Sequence, residues 1–233
     1  MVTPERTGVI ETIADEVERR KQEGSPLLVA IDGIDGSGKS TFADELAIAL
    51  RDRAMDTVRS TIDSFHNPRA TRMARGTDSP VGFYLDSHDL EALETQLLEP
   101  FARGAGEYRI AVFDAPTDSP VVVEPAPVKD GDTLILDGIF LQRPELADYW
   151  DFVVFLDGQV RVNLRRLEHV MQDLPTDPVD VVGHVLTWQR RIDRYASGMR
   201  YYLDLVDPMT TADVTVDNND LSKPRIVKAA SDG

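Results

Sequence analysis

The period of the apolar residues changes several times along the chain, and each change marks an element. Val9, Ile10, Ile13 and Val17 recur at helical spacing behind Thr3-Pro4-Glu5, a cap residue followed by proline at the first helical position. They predict a helix within residues 1–24, ended by Gly24-Ser-Pro26. The unbroken run from Leu27 to Asp32 reads as a strand buried on both faces. Phe42, Leu46, Ala49 and Leu50 then place one apolar stripe on a helix over Ser40 to Arg53. A second strand spans Thr57 to Ile62. The polar stretch from Asn67 to Pro80, with Arg69, Arg72 and Arg75 spaced by three, reads as a loop or short helix near a site.

Asp86-Ser-His-Asp89 has the composition of a helix cap, and His88 is assigned to it; the helix runs to Ala102 with Leu90, Leu93, Leu97 and Leu98 inward. Tyr108 to Phe113 and Val121 to Glu124 read as two short strands of a hairpin-like insertion within residues 104–128. Buried strands follow at Thr133 to Leu136 and Phe152 to Leu156, helices at Val160 to Gln172 and Val179 to Leu205, and a last strand at Val214 and Val216. The tail from Ser222 reads as loosely held, and Trp150 and Trp188 as packing residues. Strands alternating with helices predict one α/β domain, a five-stranded parallel sheet with helices on both faces, with the hairpin insertion and a helical lid region at 159–178.

Composition narrows the class. The chain has 233 residues, 42% of them hydrophobic, which suits a single domain with a sizeable core. It carries 41 acidic and 25 basic residues, a formal charge of −16, so most of its surface repels nucleic acid and anionic membranes. Clustered arginines on such a background are informative. There is no cysteine, which excludes disulfides, thiolate metal sites and a cysteine nucleophile. With neither an apolar leader nor a membrane-length apolar run, the expectation is a cytoplasmic protein.

The candidate chemistry sits directly after the first strand. Gly33-Ile-Asp-Gly-Ser-Gly-Lys39-Ser40 fits G-x-x-x-x-G-K-[ST] at every fixed position, between a strand and a helix as that loop requires. Glycines let backbone N–H groups turn inward onto phosphate oxygens, Lys39 reaches the terminal phosphates, and the Ser40 hydroxyl can ligate Mg²⁺. The expected nucleotide contacts are Gly33, Asp35, Gly36, Ser37, Gly38, Lys39, Ser40 and Thr41. Asp32, Asp63, Asp137 and Asp157 each close a predicted strand, where ligands of parallel sheets bind; Asp157-Gly158 reads as a turn former. His66, three residues after Asp63, is the histidine expected in a substrate pocket, and the four histidines show no metal-ligand spacing.

The phosphate loop, Asp63-Ser-Phe-His66, Asp78-Ser-Pro-Val-Gly-Phe-Tyr84, Phe113-Asp114, Leu136-Asp-Gly-Ile139 and Arg165-Arg166 occur in the order seen in the uridine kinase/phosphoribulokinase group of P-loop kinases, which the chain resembles from about residue 27 to 217. The resemblance implies a P-loop NTPase fold, ATP and Mg²⁺ as cofactors, and transfer of the γ-phosphate to a small-molecule hydroxyl, the 5′-OH of uridine or cytidine in uridine kinases. It implies Asp63 as general base, and Asp137 at the metal with Ser40. Phe83 and Phe113 match positions near the substrate base, with Asp114 beside them. Arg165 and Arg166 match the lid, Arg166 meeting phosphate and substrate.

The pattern departs at His66, where tyrosine is usual, and at Tyr84, where an aspartate would hold the sugar and Asp86 stands nearby. It also departs at Asp118, near a histidine position of nucleoside-specific members, and at His169, in place of a lid arginine. Arg190, Arg191 and Arg194 on the next helix either compensate for missing lid arginines or pair with acids on the helix surface. The expectation is a kinase for a small molecule, a nucleoside first, with no nucleic-acid or membrane partner and compatible with a homo-oligomer. The competing readings are a kinase for a pantothenate- or sugar-like alcohol, and a nucleotide-binding protein without transfer activity.

Overall fold

The computed structural model describes residues 3–158 and 181–230, with side chains from 192 onward in the second stretch. The lid region expected at 159–178, with Arg161, Arg165, Arg166 and His169, lies outside the described residues, as do the side chains of His184, Trp188, Arg190 and Arg191.

Helix α1 (Pro4–Arg20) begins where its sequence says: the Thr3 hydroxyl accepts the Arg6 N–H at 3.2 Å. Strand β1 (Leu27–Gly33) is buried throughout and leads through the glycine loop into α2 (Lys39–Asp52). Strand β2 (Thr57–Thr61) is followed by a 3-10 turn, Ile62–Phe65. The polar stretch holds a single-turn helix, α3 (Arg69–Arg72), and α4 (Pro80–Asp86) follows, capped by Ser79. Asp89 caps the next helical run through Ala92 N–H at 2.9 Å: α5 (Leu90–Leu93), a π turn at Glu94–Leu98, and α6 (Glu99–Arg103).

The insertion is hairpin-like, as expected, but its ladder is two nested antiparallel pairs rather than strands at Tyr108–Phe113 and Val121–Glu124. β3 (Glu107–Tyr108) pairs with β6 (Ala126–Pro127), and β4 (Phe113–Asp114) with β5 (Ser119–Pro120). The turn at Asp118, at φ 50°, shortens the inner pair. Val112 N–H bonds the Ser64 carbonyl at 3.0 Å, which ties the insertion to the 3-10 turn.

β7 (Thr133–Gly138), β8 (Phe152–Asp157) and β9 (Val214–Asp217) complete a sheet of order β10-β9-β8-β1-β7-β2. Strands β1, β2, β7, β8 and β9 are parallel, five in all, as expected. The tail adds a sixth, β10 (Arg225–Lys228), antiparallel to β9. Far from being loose, the tail is also held by Thr3, whose hydroxyl bonds the Ser222 carbonyl, and by Arg6 at 3.0 Å from the Leu221 carbonyl.

Alternation in the buried strands divides the core in two. Leu27, Val29 and Ile31 of β1, Ile135 of β7 and Val154 of β8 face α1 and α2. Leu28, Ala30, Leu134, Leu136 and Phe155 face the opposite layer, built from α4, the α5–α6 run and α7 (Val181–Val206). Trp150 packs against this second layer and donates to the Leu141 carbonyl at 2.7 Å. The short helix α8 (Pro208–Thr211) links α7 to β9. The carboxyl ends of β1, β7 and β2 thereby open at one edge.

Candidate active site

At that edge the chain forms a cleft of about 270 Å³ lined by Asp35, Gly36, Gly38, Lys39, Ser40, Thr41, Asp63, Asp137, Gly138 and Ile139. The glycines are there for geometric reasons. A Cβ on Gly33 would lie 2.6 Å from the Leu156 carbonyl oxygen, and Gly38 has φ +88°, in the left-handed region. Gly38 caps α2, so the first-turn N–H groups of a 14-residue helix face the cleft without intrahelical acceptors. Asn218, just past β9, braces the loop by donating from Nδ2 to the Ser37 carbonyl at 2.6 Å.

Lys39 folds back onto the loop, with Nζ 2.9 Å from the Ile34 carbonyl. Ser40 donates its hydroxyl to Asp137 Oδ2 at 2.7 Å. The other Asp137 oxygen accepts from Arg59 Nη2 at 2.8 Å, and Arg59 Nη1 reaches the carbonyls of Ser60 and Ile135 at 2.8 Å each. Arg59, on β2, was missed by the sequence reading, because a single arginine on a half-buried strand carries no motif. A hard divalent cation prefers one or two carboxylate or hydroxyl oxygens with water for the rest. Ser40 and Asp137 offer such oxygens beside the loop, so the residues present fit Mg²⁺ with a phosphate.

Asp63 projects from the 3-10 turn with its side chain 71% exposed, one turn beyond the end of β2 rather than on its last residue. Its N–H bonds Thr61 Oγ1 at 3.3 Å. Crowding by neighbouring atoms pushes its carboxyl up, but His88 beside it, then His66 and Lys39, outweigh this and hold it below the ordinary value. Asp35 responds in the other direction: loss of solvent raises it and Asp63 adds to the rise, against the pull of Lys39 and His66.

His88 is the second residue missed. Asn67 N–H bonds the Ser87 carbonyl at 3.0 Å and Asp89 N–H bonds the Phe65 carbonyl at 2.8 Å, so the two segments run antiparallel and bring His66 and His88 opposite each other. The rings lie 4.7 Å apart, and His88 Nε2 is 3.9 Å from Asp63 Oδ1. Burial drives the His88 imidazole down to about 4 despite the nearby carboxylate.

Other expected pocket residues are placed elsewhere. Phe83 and Tyr84 pack into the core around Phe140, with ring centroids 5.3 and 5.0 Å from it. Asp86 pairs with Arg75 at 2.8 Å. Phe113 is buried at the base of the insertion, and Asp114 accepts the Thr117 N–H at 3.2 Å within the hairpin turn. Asp118 accepts Arg69 N–H at 2.7 Å and Arg72 Nη2 at 3.2 Å, docking the hairpin onto α3. Arg194 is buried and clamps the stretch after α3 through the carbonyls of Arg72 and Thr77, at 3.1 Å each, instead of pairing with surface acids. Asp32, though at the end of β1, is scaffold. It accepts from Gly33 N–H at 2.8 Å, Gln142 Nε2 at 2.9 Å and the Tyr202 hydroxyl.

A mostly parallel sheet that presents a glycine loop, a lysine and a carboxylate at its strand ends is the architecture of P-loop nucleotide-binding proteins. The phosphoribulokinase/uridine kinase family model matches residues 28–214, and the chain belongs to that family. It is 28% identical to a uridine kinase of Lactobacillus helveticus over 193 residues, covering 78% of this chain and 86% of that one. A pantothenate kinase of Shewanella is 26% identical over 162 residues, covering 63% of this chain and 50% of the other. Among solved structures, one described as a possible uridine kinase from Bacillus stearothermophilus superposes with a TM-score of 0.65 at 27% identity, covering 88% of this chain and 96% of that one. Among the described residues no helix is long and apolar enough to cross a membrane.

Proposed function

We propose that this chain transfers the γ-phosphate of ATP, with Mg²⁺, to the 5′-hydroxyl of a pyrimidine nucleoside. The observation that carries the reading is that Lys39, Ser40, Asp137 and Asp63 line one cleft. Phosphoryl transfer asks for positioned reactants and positive charge around the migrating group rather than covalent chemistry. When bound, Mg²⁺ neutralises charge on the phosphate oxygens. The loop N–H groups and Lys39 would hold the phosphates, and Ser40 and Asp137 would supply the protein oxygens for Mg²⁺. Asp63 orients the acceptor hydroxyl and takes its proton; a carboxylate of low basicity suffices because the transition state is loose and the proton leaves late. By the family resemblance Arg165 and Arg166 supply further positive charge to the phosphates, and His66, bonded to the Asp63 carbonyl, contacts the acceptor.

A second acceptor class, a pantothenate- or sugar-like alcohol, is favoured by a specific observation: Tyr84, at the position where an aspartate would hold a ribose, is buried against Phe140. The test is ADP release from purified protein with ATP and Mg²⁺ against a panel of nucleosides, pantothenate and sugars. Uridine- or cytidine-dependent release is the expected result. Release that ignores every acceptor would replace the kinase reading with plain NTP hydrolysis. Cytoplasmic location and a role in pyrimidine salvage accompany the nucleoside reading.

A further inference from the structure

Beside the phosphate loop the chain places two imidazoles and a carboxylate with no structural task to explain all three. Asp63, His66 and His88 each offer a ligand atom, and these atoms lie within 4.8 Å of one another. His88 is buried, and neither of its ring nitrogens has a hydrogen-bond partner among the described residues. Buried polar atoms are rarely left so, and each one calls for a partner. His66 is arranged differently. Its Nδ1 lies 2.7 Å from the Asp63 carbonyl oxygen, which can only accept, so the proton sits on Nδ1 and the lone pair is on Nε2. A ring nitrogen donating to a backbone carbonyl while the other stays free is the arrangement that orients metal-binding histidines.

We propose that Asp63, His66 and His88 form a binding site for a zinc-like divalent transition-metal ion, separate from the Ser40–Asp137 pair. The donor chemistry selects the ion: two imidazoles and one carboxylate suit zinc and its first-row neighbours, whereas Mg²⁺ and Ca²⁺ take oxygen. Tetrahedral bonds of about 2.0–2.1 Å put ligand atoms about 3.4 Å apart, so the three must close by about an ångström. Asp63 is exposed and His66 half-buried, so these two are the residues with room to close on the buried His88. Three protein ligands leave a fourth position for water or another ligand. The site shares Asp63 and His66 with the proposed acceptor pocket, so a bound ion and the acceptor compete for them, whichever alcohol the protein phosphorylates.

The experiment is titration of the full chain, without nucleotide, with Zn²⁺ against a chromophoric chelator, and with Co²⁺ as a visible-absorbing substitute. The wild type is expected to take up one equivalent, with cobalt bands displaced from those of the aqueous ion by imidazole. His66→Gln, at a half-buried position that tolerates change, is expected to weaken uptake by roughly tenfold or more, as is Asp63→Asn. Ser40→Ala is expected to leave it unchanged. Absence of uptake by the wild type would overturn the proposal. So would uptake that survives both His66→Gln and Asp63→Asn but is lost in Ser40→Ala, which would assign the ion to the phosphate loop.

Discussion

Arg59 and Asp137 form a buried ion pair at 2.8 Å in which the carboxylate is 2% exposed and the guanidinium 18%. The pair fixes the orientation of the oxygen that meets Ser40, because Arg59 is itself anchored to two main-chain carbonyls. Replacing Arg59 by methionine keeps the volume of the stem and strands the Asp137 charge. Breaking one side of a buried pair costs about 3–5 kcal/mol; with Arg59 partly in solvent the lower end applies. A lower urea midpoint together with weaker Mg²⁺ dependence of ADP release is the expected outcome. An unchanged Mg²⁺ response would separate Arg59 from the metal site.

Lys39 and Asp63 separate binding from transfer. Lys39→Met removes a charge from the phosphates and is expected to lower kcat/KM by about a hundredfold or more. Its only described hydrogen bond, to the Ile34 carbonyl, is local, so thermal stability should change little. Asp63→Asn is expected to keep ATP affinity while transfer falls. Equilibrium nucleotide binding alongside steady-state rates distinguishes the two, and full activity of Asp63→Asn would remove Asp63 as the base.

Gly138 makes the closest approach in the region. A Cβ there would lie 2.2 Å from Ile62 Cγ2 and 2.9 Å from its Cβ, and Ile62 opens the turn that carries Asp63. Gly138→Ala therefore has to push that turn outward. Overpacking of this kind costs about 1–3 kcal/mol, and the displaced base should reduce kcat more than ATP affinity. Equal losses in both would show that the strain spreads through β7 instead.

The Asp32 cluster gives a pH signature. Burial raises its carboxyl against the donors Tyr202, Gln142 and Gly33 N–H and the charge of Lys39, so the folded protein keeps this proton to higher pH than the unfolded chain does. The contribution is therefore fully present below the unfolded value of 3.8 and declines as pH rises through the elevated folded value. Tyr202→Phe removes a donor to the ionised form, worth about 1.5–3 kcal/mol for a charged acceptor. The variant's loss of stability should be larger at pH 7 than at pH 4, measured as the difference in urea midpoints from wild type. A pH-independent difference would mean that Asp32 stays neutral throughout.

Much of the frame is written locally. β1, β7 and β8 are short apolar runs between turns, and the glycine loop states its own backbone. What escapes a linear reading is pairing between distant segments. His88 sits in a sequence that looks like a cap, and Asp89 beside it does cap a helix, but only the antiparallel match of 65–67 with 87–89 brings His88 to Asp63. The strand bounds inside the hairpin insertion were misread because its paired segments are two residues long, too short for alternation to fix a register. Phe83 and Tyr84 looked like pocket residues by position in a motif, yet one turn of helix against α7 directs both rings inward. Gly198 of that helix is in contact range only because it lacks a Cβ, which would lie 2.6 Å from Phe83 Cδ1.

The brace from Asn218 to the Ser37 carbonyl spans 181 positions of sequence. During synthesis the loop and α2 leave the ribosome long before β9 and the residues after it. The loop therefore gains this brace only when residue 218 docks, and a nascent chain arrested before residue 218 would carry the whole glycine motif without that support. The support of the phosphate loop is therefore coupled to completion of the sheet rather than to emergence of the motif.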